Sequence, residues 1–101
     1  MDTRAIIAEA RAKFNHVASK RQLKEKYDSK LIVAEQEGLW KATPELIGFL
    51  SGLNVDEIVM IDLHDNPVHV NVKNLKDKLL ETYISCTTSW HKEWSMLESK
   101  R

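Results

Sequence analysis

The chain predicts an α+β fold, on three observations. Apolar residues recur at helical spacing over long stretches at both ends. Between them lie two short runs rich in β-branched or alternating residues, each interrupted by turn-forming residues. A Thr-Pro-Glu helix start separates the two runs. The predicted order is α-ββ-α-ββ-α: a small antiparallel sheet made of two hairpins, with long N- and C-terminal helices. At 101 residues the chain fits a single domain over 1–101.

The first helix begins at Asp2 or Thr3 as a cap. Ile7, Ala10, Phe14 and Val17 follow at spacings of three and four on one helical face, and Leu23 and Tyr27 extend the pattern less regularly. The helix is expected over 3–28, with a bend or break near Ser19. Leu31-Ile32-Val33 then reads as a strand, Glu37-Gly38 as a turn and Leu39 to Ala42 as the returning strand, with Trp40 in the core. The competing reading continues the first helix to Glu37 and ends it at Gly38. Thr43-Pro44-Glu45 starts a short second helix carrying Ile47, Leu50 and Leu53 on its buried side, with Gly52 and Asn54 ending it.

Residues 57–72 form the second hairpin. Val59, Ile61 and Leu63 share one strand face, Asp62 and His64 the other, and His64 to Pro67 turn the chain into Val68, Val70 and Val72. The four strands have the option of joining in one sheet. Asn71 is placed to cap the last helix, where Val72, Leu75, Leu79, Tyr83, Cys86, Trp90, Trp94 and Leu97 recur every three or four residues. That stripe spans about 38 Å at ~1.5 Å per residue, longer than a domain of this size covers by itself.

Charge and chemistry narrow the function. Net charge is zero, yet residues 11–30 carry a local +5 and residues 31–66 a local −6. No apolar run reaches the ~20 residues of a membrane span, and the first residues lack the apolar core of a signal peptide, so a cytoplasmic location is expected. Cys86 stands alone and reads as a buried, inert thiol. Asp62, His64, Asp65 and His69 gather around the second turn. They suit turn chemistry better than a metal site. His16 and His91 have no partner in a catalytic arrangement, and no phosphate-binding or dinucleotide loop is present. No catalytic residue, metal or cofactor is expected, and the chain does not read as an enzyme.

Two binding surfaces remain. Trp90 and Trp94, four residues apart, form with Met96 and Leu97 a large apolar patch of the residue types enriched at interface centres. Arg11, Lys13, Lys20, Arg21 and Lys24 offer a basic helix for nucleic acid, a contact that the neighbouring acidic segment opposes. The expected partners are other protein subunits, as a homo- or hetero-oligomer, with nucleic acid second. Charge complementarity between 11–30 and 31–66 would set their orientation.

The runs KEKYDSKLIVAEQEGLWKATPELIGFL, EIVMIDLHDNPVHVN and WHKEWSMLESKR, with Trp40, Pro44, Asp62, Pro67, Trp90 and Trp94 at their positions, resemble a small protein of large contractile-tailed phages of marine cyanobacteria, over residues 14–101. The resemblance brings no catalytic residues with it. It implies a phage-encoded component of the virion or of its assembly.

Overall fold

The computed structural model describes residues 3–99, with side chains from residue 16 onward. Its elements run α1 (Thr3–Lys30), β1 (Ile32–Glu35), β2 (Gly38–Lys41), α2 (Pro44–Ser51), β3 (Glu57–Ile61), β4 (Pro67–Asn71) and α3 (Val72–Ser99). This is the α+β order that the spacing predicts. α1 is continuous through Ser19, and Leu31 ends it rather than Glu37, so the hairpin reading of 31–42 holds.

The first hairpin turns on Gln36-Glu37, both at positive φ (49° and 65°), with Glu35 opposite Gly38. This two-residue turn follows the right-handed twist of the strands. Gly38 is not needed for its own φ. It is needed because a Cβ there would lie 2.6 Å from Cζ2 of Trp40. The indole therefore lies against bare backbone, only 2 % exposed, and donates from Nε1 to the Glu35 carbonyl at 2.9 Å. Trp40 is the core residue expected of it.

In the second hairpin, Ile58 pairs with Val70 and Met60 with Val68 on the inner face. Val70, Val72, Leu75 and Leu79 are almost fully buried, and they close the core with Leu50, Ala42 and Trp40. The alternation read from the sequence is present, and the structure assigns its faces. Val59 and Ile61 point outward, each 61 % exposed, while Asp62 lies on the inner side. The polar cluster expected around the turn is therefore split. The Asp62 carboxylate is buried and accepts from the backbone N–H of His64 (2.9 Å), Asn66 (3.0 Å) and Leu39 (3.1 Å). Its role is to fold the turn, which leaves His64 and His69 exposed.

The hairpins form two separate two-stranded sheets, not one of four strands. The reason lies in what joins them. Where a further ladder would run, Leu39 gives its N–H to the Asp62 carboxylate and accepts from Leu63 N–H at 2.9 Å. At the other junction the Gln36 side-chain amide accepts from Asn71 N–H (2.7 Å) and donates to the Asn71 carbonyl (3.1 Å). The Asp62 and Gln36 side chains thus occupy the Leu39 N–H and both backbone groups of Asn71, and the Leu63–Leu39 backbone bond does not extend into a ladder. Asn71 also caps α3 as expected, its Oδ1 accepting from Asn74 N–H at 3.0 Å. Thr43 caps α2 by accepting from Leu46 N–H, with Pro44 in the first turn.

Two expectations follow. Gly38→Ala forces the Trp40 indole to shift and should lower unfolding free energy by about 1–3 kcal/mol in urea titration. The three N–H donors, Asn66 foremost, hold the Asp62 carboxyl below its ordinary value of 3.8. A depressed pKa contributes stability that is present above the ordinary value and lost as pH falls through the folded one. Asp62→Asn should therefore lower the melting midpoint at pH 7, and its deficit relative to wild type should shrink as pH drops below about 4.

Candidate functional site

α1 and α3 run antiparallel and make the long axis of the molecule. The chain measures 67 × 24 × 19 Å and has a radius of gyration of 19.5 Å, where a compact chain of this length would have about 13 Å. The Val72 end of α3 is packed under the two hairpins. The far end has α1 as its cover among the described residues.

The seam between the two helices has heptad-like spacing. On α1 it carries His16, Lys20, Leu23, Tyr27 and Lys30, at steps of four and three. On α3 it continues from Leu79 through Tyr83, Cys86, Trp90, Glu93 and Leu97. Nearest the core, Cys86 Sγ donates to the Lys30 carbonyl at 3.4 Å. Cys86 is half-buried and set against the core edge, in keeping with a packing role. Next, the Tyr27 ring lies parallel to Trp90, with centroids 6.1 Å apart. Tyr27 is fully buried and donates its hydroxyl to Glu93 at 2.8 Å, and Lys26 donates to the same carboxylate oxygen at 2.8 Å. Farther out, Lys20 pairs with Glu98 at 2.6 Å, His16 approaches that oxygen at 3.2 Å, and the Lys20 ammonium stands 5.5 Å from the Trp94 ring centre.

This geometry explains why the apolar pattern of the first helix looked irregular. Val17 is exposed, whereas Leu23 and Tyr27 face α3. At 100° per residue, Val17 lies about 120° from Leu23 and 80° from Tyr27 around the helix. Val17 and the seam belong to different faces. Ile7, Ala10 and Phe14, like Arg11 and Lys13, have side chains outside the described residues.

The four residues expected at an interface divide into two pairs of environments. Trp90 is turned into the seam and spends its face on Tyr27. Leu97 is half-buried and lines a groove of about 450 Å³ with Leu23, Ser19, Glu93 and Met96. Trp94 and Met96 are exposed, and the His91 ring stacks on Trp94 at 6.2 Å. The basic residues divide likewise. Lys20 and Lys26 are engaged by glutamates of α3, while Arg21 and Lys24 are exposed and make no ion pair among the described residues. The positive charge of 11–30 is thus met by Glu93 and Glu98 rather than by the acidic hairpins, wherever the described residues form ion pairs. Helical spacing carries this pairing, since Glu93 lies on the α3 seam and Glu98 directly beside it.

Around the second turn, His69 approaches Glu57 at 3.9 Å, and among the described residues no three His, Cys, Asp or Glu side chains gather as metal ligands would. No described helix is long and apolar enough to cross a membrane. A comparison with protein-family models, with curated proteins and with solved structures returns no match.

Glu93 joins three shifts. The Lys26 hydrogen bond, followed by that of Tyr27, holds its carboxyl below the usual range. The same bonds raise Lys26 and Tyr27 above their ordinary values. For Tyr27, a raised folded pKa means stability that is present below the ordinary value of 10.0 and lost as pH rises through the higher one. In a Tyr83→Phe background, Glu93→Gln should bring the Tyr27 tyrosinate absorbance step to lower pH, and should make the helix pair open at lower temperature.

Proposed function

We propose that this chain is a non-enzymatic protein-interaction module that docks onto other protein subunits through the far half of α3. The observation that carries the reading is the uneven cover of that helix. Its first turns bury Val72, Leu75 and Leu79 under the hairpins and α2, whereas its last turns rest on one neighbouring helix, with Met96 exposed at a groove it lines with Leu23 and Leu97 and Trp94 exposed on the other flank of the seam. Two helices bury one stripe each. Large apolar side chains left outside that stripe gain free energy when a partner removes them from water, at about 25 cal/mol per Å² of apolar area. Trp and Met are both enriched in the buried cores of binding surfaces.

Trp90, although part of the same patch by sequence, contributes from beneath. Stacked on Tyr27, it fixes the separation of the helices and hence the width of the groove that Leu97 and Met96 present. A role in assembling a larger particle agrees with the resemblance to small phage proteins. A nucleic-acid role for the basic helix is the weaker reading, because Lys20 is held by Glu98, which leaves Arg21 and Lys24 as the exposed candidate cations without an ion pair among the described residues. Phosphate tracking needs several unengaged cations along one face.

The test is photo-crosslinking in the cells that make the protein. A benzophenone amino acid replacing Met96 should give a discrete protein adduct, and the same group replacing exposed Glu45 on α2 should not. Trp94→Ala should suppress the adduct while the circular dichroism spectrum stays unchanged. Absence of any adduct at 96 would remove the proposal.

A further inference from the structure

The two hairpins protect their strand edges unequally. In the second hairpin, Asp62 N–H donates to the Asn66 carbonyl at 3.0 Å and Val72 N–H to the Asp56 carbonyl at 2.8 Å. The register between them is unbroken, and bonded pairs alternate with unbonded ones in an antiparallel ladder. Ile58 and Met60 are therefore the residues of β3 bonded to β4. The N–H and C=O of Glu57, Val59 and Ile61 point the other way, and none of them meets a hydrogen-bond partner among the described residues. The neighbouring edges are closed. On β4, Pro67 has no N–H to offer, and both backbone groups of Asn71 are held by Gln36. On β2, Leu39 gives its N–H to Asp62 and accepts from Leu63. The same alternation on β1 leaves only Ile32 and Ala34 facing outward. Exposed edges are usually blunted by a charge, a proline or a bulge. From Ile58 to Ile61 this edge has none of these, and Val59 and Ile61 are its exposed side chains.

We propose that β3 is a docking edge that takes an extended segment of a partner protein as a third strand. The segment carries β-branched apolar residues beside Val59 and Ile61 and a Lys or Arg beside Glu57. Backbone chemistry names the occupant: a row of donors and acceptors repeating every second residue is matched by another extended chain. Side chains directly opposite across a ladder touch, so Val59 and Ile61 set the apolar positions. Charge sets the basic one. Residues 42–72 hold Glu45, Asp56, Glu57, Asp62 and Asp65 and no Lys or Arg. Asp56 and Glu57 stand exposed at the entry to the strand, and the His69 ring that approaches Glu57 at 3.9 Å belongs to β4, away from the edge. This surface is separate from the far half of α3, and the docking role of that helix stands or falls without it.

The test is amide hydrogen exchange of the full chain by NMR, with the peptide acetyl-Lys-Thr-Val-Thr-Val-Thr-Lys-amide as probe. Its Lys and Val residues share one strand face and read the same in either direction. In the free chain, the Val59 and Ile61 amides should exchange fast while those of Ile58 and Met60 are protected. Saturating peptide should slow Val59 and Ile61 by more than about tenfold. The same peptide N-methylated at both valines lacks the donors that face β3 and should protect neither amide. Glu in place of each Lys should weaken binding by more than about tenfold at low salt. Val59→Pro removes an edge N–H that β4 does not use and should abolish binding with Met60 still protected. Ile61→Lys replaces an exposed side chain, should also abolish binding, and keeps the test intact if the proline variant does not fold. A peptide that leaves Val59 and Ile61 unprotected, or an N-methylated peptide that binds equally well, overturns strand addition. Protection that rises with protein concentration in the absence of peptide makes a second copy the occupant and overturns the partner segment.

Discussion

The constraint on which this molecule turns is that α3 is longer than the core that holds it. Val72, Leu75 and Leu79 anchor one end under the hairpins with almost no exposure, and the twenty residues beyond Leu79, about 30 Å of helix at ~1.5 Å per residue, must then go somewhere. An isolated helix in water gains little from propensity and needs a packed face to persist. α1 supplies that face for one stripe. The aromatic stack of Tyr27 on Trp90, tied by Glu93 to both Tyr27 and Lys26, is the point where the pairing is most strongly specified.

The hairpins serve this arrangement as a clamp at the base. Trp40 lies over Gly38, the Asp62 carboxylate gathers three backbone donors from two hairpins, and the Gln36 amide grips Asn71 one residue before α3 begins. The direction in which α3 leaves the core is therefore fixed by polar contacts at its first residue as well as by apolar packing along its first turns. Two small sheets suffice because their task is to orient a helix, and neither has to bury both of its faces.

Much of this was legible in the residues. Thr43-Pro44 announced α2, Asn71 announced α3, and the period-two alternation of 57–63 announced a strand, because each signal is local and set by backbone hydrogen bonding. What the residues did not reveal is which side of an alternating strand faces inward. Val59 and Ile61 are as apolar as Ile58 and Met60, and only the position of Asp62, buried for its hydrogen bonds, breaks the tie. Likewise the helix partners of Lys20 and Lys26 lie more than sixty residues away, beyond the reach of local charge balance. Trp90 and Trp94 look equivalent at a spacing of four. The heptad seam drifts between them, however, so that Glu93 takes the inward position and Trp94 falls between two faces of the same helix.

The pairing of the first helix with the last has a consequence for how the chain is made. Lys26 finds Glu93 only after the 67 residues that separate them have been added. At about 5–20 residues per second this takes roughly 3–13 seconds of translation. During that interval α1 emerges from the ribosome with Leu23 and Tyr27 unmatched, exposed to chaperones and to neighbouring nascent chains. The hairpin contacts are short-range, whereas closure of the long helix pair has to wait for the last residues of α3.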